Sequence, residues 1–297
     1  MGSLFGGYLS KKNEVYLVEV DPAKVAAINE NGVCIRESDG TEGIYHPTAV
    51  TSTKGLPVMD LVVVFVKAMY TETALEANKQ LIGPDTYLMT LQNGAGHEAK
   101  LLKFADRQHV IIGSTQHNSS LIGNGHVNHG GGGKSSIGLL YGASDTIINI
   151  AQALTDCGFA CVTSDAVKKQ IWDKLFLNTA ASTLTGILQV PLGFILDDPY
   201  ACALMEKLAR EAVAVANAEG ISHFDEIEVI SNIKTVLSNG KGGYTSIYTD
   251  LKNGNRTEVD TIAGSVVAAA KEYGVSVPCH EMAVALVHAM EDKNKLQ

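Results

Sequence analysis

The sequence predicts an α/β fold with two domains: a doubly wound sheet in residues 1–166 and an all-α domain in residues 167–297. Two observations support this prediction. In the first half, short apolar segments rich in β-branched residues alternate with helical patterns, as is typical of parallel strands covered on both faces. In the second half the pattern is helical, with clear start and stop signals.

The first domain contains six apolar runs that are predicted strands. They cover residues 15–21, 61–67, 86–94, 109–113, 135–142 and 160–165. Pro22 at a first helical position and Gly32 as a stop signal predict a helix between the first two strands. A second helix is predicted at 144–157, between the last two strands.

The second domain contains two helices with complete boundary signals. One is predicted from the acidic and proline residues at 197–199 to Gly220. The other is predicted to start at Thr257 and Asp260, a capping-box pattern, and to stop at Gly274.

Composition and charge exclude several classes of protein. The chain has 297 residues, is 45% hydrophobic and carries a net charge of −9, so a nucleic-acid-binding surface is not expected. The five cysteines are odd in number and scattered, which indicates neither a disulfide framework nor a zinc site. No secretory leader is expected, and we predict a cytoplasmic protein that binds small molecules.

Lys174 begins the most informative segment, because no further charge follows it until Asp197. Lys174, Asn178 and Ser182 are spaced by four, so they would share one face of a buried helix and form the wall of a polar pocket. Burial lowers the pKa of an amine toward the range of proton transfer near neutral pH. The alternative is a lysine that extends its charged end to water.

The apolar run at 175–196 also permits a second interpretation, because it is long enough to cross a bilayer. Asn178, Ser182 and Gln189 would each need a partner in hydrocarbon, and no basic cluster flanks the run. A buried helix of a globular domain is therefore the preferred interpretation.

Glu19 lies at the end of the first predicted strand. Dinucleotide-binding sheets place an acidic residue there, which binds the adenosine ribose 2′-hydroxyl and repels a 2′-phosphate. The alternative is a solvated glutamate, with Asp21 as a helix cap. Gly2, Gly6 and Gly7 precede it, but such a glycine-rich start is weak support by itself.

The segment GGGGKSS at 130–136 resembles the end of a phosphate-binding loop. The glycine required five positions before Gly133 is Asn128, and the following segment has a strand pattern, so a flexible turn is predicted. The nearby His117, His126 and His129 lack ligand spacing, and no metal site is predicted.

Gln92 and Asn93 follow an apolar strand, and the carboxyl ends of strands bind ligands in open α/β sheets. The pair Asn93–Gly94 is equally consistent with a simple turn. Glu258 is open to two interpretations as well: a functional carboxylate, or a first-turn glutamate that favours a helix N-terminus.

Several short motifs occur together in this chain. They are QNGAGHE at 92–98, Trp172 with Lys174 and Asn178, Ser246 with Asp250, and Thr257 and Glu258 with Asp260. In this order and spacing, with VKA at 66–68 and GVSVP at 274–278, the chain resembles the ketopantoate reductase family nearly from end to end.

This resemblance implies an N-terminal Rossmann domain, a C-terminal all-α domain, an NAD(P)H site in the cleft between them, and a homodimer. By position, Lys174 would be the general acid that protonates the substrate carbonyl oxygen, and Glu258 would hold or relay to that oxygen. Asn178 and Ser246 would bind the 2-oxo acid. Two further sets are implied: Asn93 and Gly94 near nicotinamide and substrate, and Gly2, Glu19 and Lys67 at the cofactor.

Three departures from the family pattern refine these expectations. Gly2 matches the last glycine of GxGxxG, so the first strand and the two preceding glycines have no counterpart in this sequence. Glu19 followed by Val20 stands where the family usually has a basic residue for NADP, which favours NAD. Ser182 replaces a second asparagine, which removes a hydrogen-bond partner for the hydroxyl of ketopantoate and leaves space for a bulkier apolar group.

The chain is therefore predicted to reduce branched or aromatic 2-oxo acids to D-2-hydroxy acids with NADH, as in the D-mandelate dehydrogenase branch of the family. One alternative is a 2-dehydropantoate 2-reductase that uses NADPH. A less favoured alternative is a non-catalytic dinucleotide sensor, which would not need a proton donor such as Lys174.

Overall fold

A computed structural model of the chain describes residues 1–295 and divides them into two compact units. Unit 1 contains Met1–Gln92 and Glu98–Val167. Unit 2 contains Asn93–His97 and the chain from Lys168 onward. The short segment Asn93–His97 therefore belongs to the C-terminal unit, although its sequence neighbours on both sides belong to unit 1.

Unit 1 is an α/β unit, as predicted. Its strands are β1 Tyr16–Val18, β2 Val33–Arg36, β3 Glu42–Tyr45, β4 Thr48–Val50, β5 Leu61–Val64, β6 Tyr87–Thr90, β7 Val110–Thr115, β8 Asn118–Gly123, β9 His126–Gly131, β10 Ser135–Leu139 and β11 Cys161–Thr163. Its helices are α1 Gly2–Leu9, α2 Pro22–Asn31, α3 Thr71–Ala77, α4 Glu98–Leu101 and α5 Asp145–Asp156.

The strands of unit 1 form three sheets. The largest has the order β11-β10-β7-β6-β5, in which β5, β6 and β7 are parallel and β10 runs antiparallel to β7. A parallel pair joins β1 to β4, and a further sheet has the order β3-β2-β9-β8. The core includes Leu4, Phe5, Met89, Ile111 and Phe159, all at most 1% exposed.

All six predicted strands and both predicted helices of unit 1 are confirmed, with most strands shorter than their apolar runs. The short strands β2, β3, β4, β8 and β9 were not predicted, because polar residues and glycines interrupt or closely border their apolar residues. In the segment at 130–136, Gly130 and Gly131 end β9 and Ser135 starts β10. The segment therefore leads into a strand, unlike a phosphate loop.

Unit 2 is helical. Its helices are α6 Val167–Leu177, α7 Thr183–Leu188, α8 Phe194–Asp197, α9 Pro199–Glu219, α10 Glu226–Asn239, α11 Ser246–Lys252, α12 Ala263–Tyr273 and α13 Pro278–Asn294. The long α9 supplies the centre of the core, where Met205, Ala209 and Ala212 are fully buried. Asp198 caps this helix by accepting hydrogen bonds from the backbone N–H groups of Tyr200 and Ala201.

The predicted start of α12 was wrong. The helix begins at Ala263, and Thr257 does not cap it. The hydroxyl and backbone N–H of Thr257 instead donate to Glu291 Oε1, each at 2.7 Å. Glu258 therefore lies in a turn before the helix and not in its first turn.

Within residues 1–295, no helix is both long and apolar enough to cross a membrane. The apolar run after Lys174 is divided among α6, a π-helical turn at Asn178–Ser182, α7 and α8. Its Leu175, Phe176, Ala180 and Ala181 are buried in the core of unit 2.

Candidate active site

Lys174 lies near the end of α6, and its side chain is half-buried. Burial lowers the pKa of its amine, and the negative charge of Glu258 offsets part of that lowering. Lys174 therefore releases its proton more readily than a surface lysine, and Glu258 is near enough for its charge to act on the amine. A lysine with a lowered pKa suits a group that gives up and regains a proton during a reaction.

A π-helical turn follows Lys174 and contains Asn178–Ser182. A π-turn has i→i+5 hydrogen bonds and holds more residues than an α-turn, and such turns are frequent at functional sites. The predicted continuous α-helix is therefore interrupted after Leu177, and the shared face of Lys174, Asn178 and Ser182 stays a prediction. Asn178 is half-buried and Ser182 is buried.

A buried hydrogen-bond chain holds the π-turn. His280 Nε2 lies 2.9 Å from Thr179 Oγ1, and His280 Nδ1 lies 2.8 Å from Glu211 Oε2. The same carboxylate accepts the backbone N–H groups of Cys279 and His280 at 2.9 and 3.0 Å, which are orphan donors at the start of α13. Three elements, α9, α13 and the π-turn, are thereby fixed together next to Asn178.

Ser246 is the first residue of α11 and is exposed. The preceding Thr245 lies 2.8 Å from the Thr185 hydroxyl, which donates to the backbone carbonyl of Ser182 at 3.1 Å. Behind this contact, Gly186 lets α7 and α11 approach closely, since a Cβ there would lie 2.3 Å from Ile247 Cγ2. The start of α11 is thus held against the π-turn that contains Ser182.

The turn at 257–262 carries Glu258 and also supports Asn93 and Gly94. Thr261 O accepts the backbone N–H of Ala95 at 3.0 Å. Gly94 has φ +99°, and a Cβ there would lie 1.9 Å from Thr261 O, so only glycine fits this close approach. His97 Nε2 lies 2.8 Å from Asn93 O and closes the loop.

Unit 1 contains the predicted cofactor residues Gly2, Glu19 and Lys67. Gly2 starts α1, and a Cβ there would lie 3.7 Å from Phe65 Cβ, so the start of α1 adjoins the chain just before Lys67. Gly6 packs α1 against β1, since its added Cβ would lie 2.3 Å from Leu17. Dinucleotide-binding motifs use a glycine for the same close packing of helix and strand, although Gly2, and not Gly6, matches the last glycine of the motif. These residues fit a dinucleotide.

Glu19 follows β1, as expected for a ribose-binding carboxylate. Its Oε1 accepts the backbone N–H groups of Val20 and Asp21 at 2.8 and 3.2 Å, and its Oε2 lies 3.4 Å from Lys24 Nζ. Asp21 caps α2 through Ala23, as the alternative interpretation of this segment expected. The carboxylate therefore has a defined position, with Lys24 as its cationic neighbour.

The three histidines weighed as metal ligands do not converge on one point. His117 and His129 lie 3.0 Å apart and continue a buried chain to Glu37, 2.8 Å from His129, and to the hydroxyl of Tyr8. This chain lies inside unit 1 and is a structural network.

His126 has different neighbours. Its nitrogen, the Cys34 thiol and a Glu42 oxygen lie within 4.8 Å of one another. Arg36 Nε also lies 2.7 Å from Glu42 Oε1, so a cation at this point would compete with a guanidinium for the carboxylate.

Several residues that shape the site were not singled out in the sequence, among them Thr261, His280, His288 and Glu291. Their side chains or carbonyls support neighbouring residues and belong to no short motif. The three-residue spacing of His288 and Glu291 on the last helix was the one available signal, since it places both on one face.

Comparisons with known proteins show the family of this chain. Residues 1–142 match the family described as "Ketopantoate reductase PanE/ApbA", and residues 166–291 match "Ketopantoate reductase PanE/ApbA C terminal". The 2-dehydropantoate 2-reductase of Halobacterium salinarum is 30% identical over 281 residues, covering 94% of this chain and 91% of that protein. The Lactococcus lactis enzyme of the same name is 30% identical over 299 residues, covering 98% and 95%.

A solved structure is similar as well. The ternary structure of D-mandelate dehydrogenase with NADH and anilino(oxo)acetate superposes with a TM-score of 0.91 at 31% identity, covering 99% of this chain and 96% of that one. The chain belongs to the ketopantoate reductase family of oxidoreductases, which act on the CH–OH group of 2-hydroxy acids.

Proposed function

We propose that this enzyme reduces 2-oxo acids with branched or aromatic side chains to D-2-hydroxy acids, reversibly and with NADH. The observation that carries the proposal is the pairing of Lys174 with Glu258: a lysine whose pKa is lowered by burial, facing a carboxylate beside a π-turn. A proton donor placed in this way fits the needs of carbonyl reduction.

The role proposed for Lys174 follows from the negative charge that develops on the substrate oxygen. Bound nicotinamide would supply the hydride. As the carbonyl carbon gains that hydride, its oxygen acquires negative charge, which the Lys174 ammonium stabilises and then neutralises by giving up its proton. In the reverse direction the neutral amine accepts the proton of the hydroxy acid.

The other residues of unit 2 would bind and orient the acid. Glu258 would hold the hydroxyl or carbonyl oxygen next to Lys174, and Asn178 and Ser246 would bind the oxo acid group. Asn93 would line the reacting end. The contacts that hold the π-turn and the start of α11 support this assignment, since orientation of a reactant lowers the entropic part of the barrier.

NADH is proposed as the cofactor because of Glu19. A carboxylate that follows β1 would accept hydrogen bonds from the ribose 2′-hydroxyl and repel a 2′-phosphate. Gly2 and Lys67 would serve the phosphate-bearing part. The similarity to a D-mandelate dehydrogenase solved with NADH supports the same choice.

Ser182 supports the substrate assignment. It is buried and offers one hydroxyl where the family has an amide, so a site with Ser182 lacks one partner for a substrate hydroxyl. Loss of such a partner shifts preference toward apolar side chains.

The second candidate is the reduction of 2-dehydropantoate with NADPH, which is favoured by the names of the two curated relatives at 30% identity. Steady-state kinetics with ketopantoate, benzoylformate and 2-oxoisocaproate, each with NADH and NADPH, separates the candidates. We expect the highest kcat/KM for benzoylformate or 2-oxoisocaproate with NADH. A far higher kcat/KM for ketopantoate with NADPH would refute the proposal.

A further inference from the structure

The turn that carries Glu258 is tied to α13 on both sides of that residue. On one side, Thr257 donates its backbone N–H and its hydroxyl to Glu291 Oε1, each at 2.7 Å. On the other side, Asp260 Oδ1 lies 2.9 Å from His288 Nε2. His288 Nδ1 lies 3.0 Å from Glu291 Oε2, which closes a ring of hydrogen bonds around the turn.

The backbone of Glu258 is held from inside the turn as well. Its carbonyl accepts the N–H and hydroxyl of Thr261 at 3.1 and 3.2 Å, and the N–H of Ile262 at 3.1 Å. The position of the Glu258 side chain relative to Lys174 therefore depends on how the ends of this turn are anchored.

The anchors on α13 are two titratable groups, His288 and Glu291. Burial alone would raise the pKa of Glu291, but hydrogen bonds from Thr257 and His288 outweigh it and the pKa is lowered. Burial alone would lower the pKa of His288, but hydrogen bonds to Glu291 and Asp260 outweigh it and the pKa is raised. The pair is thus stabilised as an ion pair, with imidazolium between two carboxylates.

We propose that His288 and Glu291 are positioning residues that hold Glu258 opposite Lys174 and so set the affinity for the 2-oxo acid. The inference rests on the proposed function. Neither residue needs to touch the substrate, since both act through the turn at 257–262.

The anchor depends on pH. The charged groups that act on His288 are Asp260, Glu291 and Asp292, with Arg256 3.8 Å from Asp260. An imidazolium donates from both ring nitrogens, whereas a neutral imidazole donates from one. As pH rises through the raised pKa of His288, one of its two bonds is lost and the turn loosens. KM for the oxo acid should rise over that interval.

A double-mutant cycle tests the proposal. We expect His288→Gln to raise KM for the oxo acid by roughly 10- to 100-fold, the scale of a slightly misplaced reacting group, with KM for NADH unchanged. In the Glu258→Ala background the same change should alter KM less than about twofold, because a residue that acts only through the Glu258 side chain has nothing left to position. Glu281→Gln, an exposed position on the same helix, is the matched control and should change neither constant.

Two results would overturn the proposal: an unchanged KM in His288→Gln, or equal losses in both backgrounds, which would indicate general damage to unit 2. Glu291→Gln repeats the cycle if His288→Gln does not fold. Lys174→Ala in the same assay tests the proposed function separately. Turnover that depends on Lys174, combined with additive His288 and Glu258 effects, would remove the positioning role and leave the proposed function intact.

Discussion

At the scale of single residues, Lys174 determines how the reaction should respond to pH. Its pKa is lowered by burial, against the opposing charge of Glu258. Reduction needs the protonated amine and oxidation needs the neutral amine. We therefore expect kcat/KM for reduction to fall, and kcat/KM for oxidation to rise, as pH increases through one shared pKa below that of an ordinary lysine.

The matched test replaces Lys174 with arginine, which keeps the charge but stays protonated at every accessible pH. In this variant, kcat/KM for reduction and for oxidation should no longer change with pH at the pKa of Lys174. Turnover should be lower by about 10²- to 10⁴-fold. If Lys174→Arg kept the pH dependence of the wild type, a group other than Lys174 would be responsible for it.

Gly94 is the residue whose replacement should most directly displace Asn93. An alanine there would place its Cβ against Thr261 O and adopt φ +99°, so we expect a stability loss of about 1–3 kcal/mol and a large loss of kcat/KM. Gly96→Ala is the control, because Gly96 also has positive φ, at +78°, but nothing lies within 4 Å of its added Cβ. Thermal unfolding and kinetics of both variants would show whether the clash or the backbone angle matters.

At the scale of secondary-structure elements, the π-turn depends on the chain from Glu211 through His280 to Thr179. Burial alone would raise the pKa of Glu211, but hydrogen bonds from His280 and the backbone of α13 lower it overall. A carboxylate whose folded pKa is depressed contributes stability above its unfolded pKa, and that stability is lost as pH falls through the folded pKa. Glu211 should therefore stabilise the helical unit at neutral pH and not in acid.

Glu211→Gln should lower the free energy of unfolding by about 2 kcal/mol at pH 7, since hydrogen bonds to charged groups contribute about 1.5–3 kcal/mol. The difference from wild type should shrink below the unfolded pKa of glutamate, near pH 4. Chemical denaturation at several pH values measures this. Glu281→Gln serves as the exposed control, and a difference that is constant with pH would contradict the assignment.

Helices and strands were predictable from the sequence where a local signal alone determines them. Pro22, Asp21 and Gly32 specify α2 locally, and the apolar runs specify the central strands. The start of α12 was not predictable, because a tertiary partner, Glu291, takes the Thr257 hydroxyl that a capping box would use. The π-turn was not predictable either, since it depends on His280, 101 positions from Thr179.

At the scale of the whole molecule, the motif order in the sequence sufficed to indicate the family, and the sequence also singled out Lys174 and Glu258 as candidates for the site. It did not suffice for the assembly of that site. The segment Asn93–His97 joins the C-terminal unit although both flanking segments belong to unit 1. Such an exchange depends on contacts between distant positions, such as Ala95 with Thr261, and leaves no local pattern.

The two units are expected to have separate roles, with cofactor binding in unit 1 and proton transfer in unit 2. Gly2, Glu19 and Lys67 lie in unit 1, whereas Lys174 lies in unit 2. A ligand that binds only the folded state stabilises it by mass action, about 2.7 kcal/mol at 100 times its Kd. NADH should therefore raise the melting temperature of wild type and of Lys174→Ala almost equally, although Lys174→Ala has lost turnover. In Glu19→Ala the NADH shift should shrink and approach the NADPH shift, because the ribose-binding carboxylate is gone. A NADH shift that disappears with Lys174 would show that this lysine binds the cofactor, and would move it from proton transfer to cofactor binding.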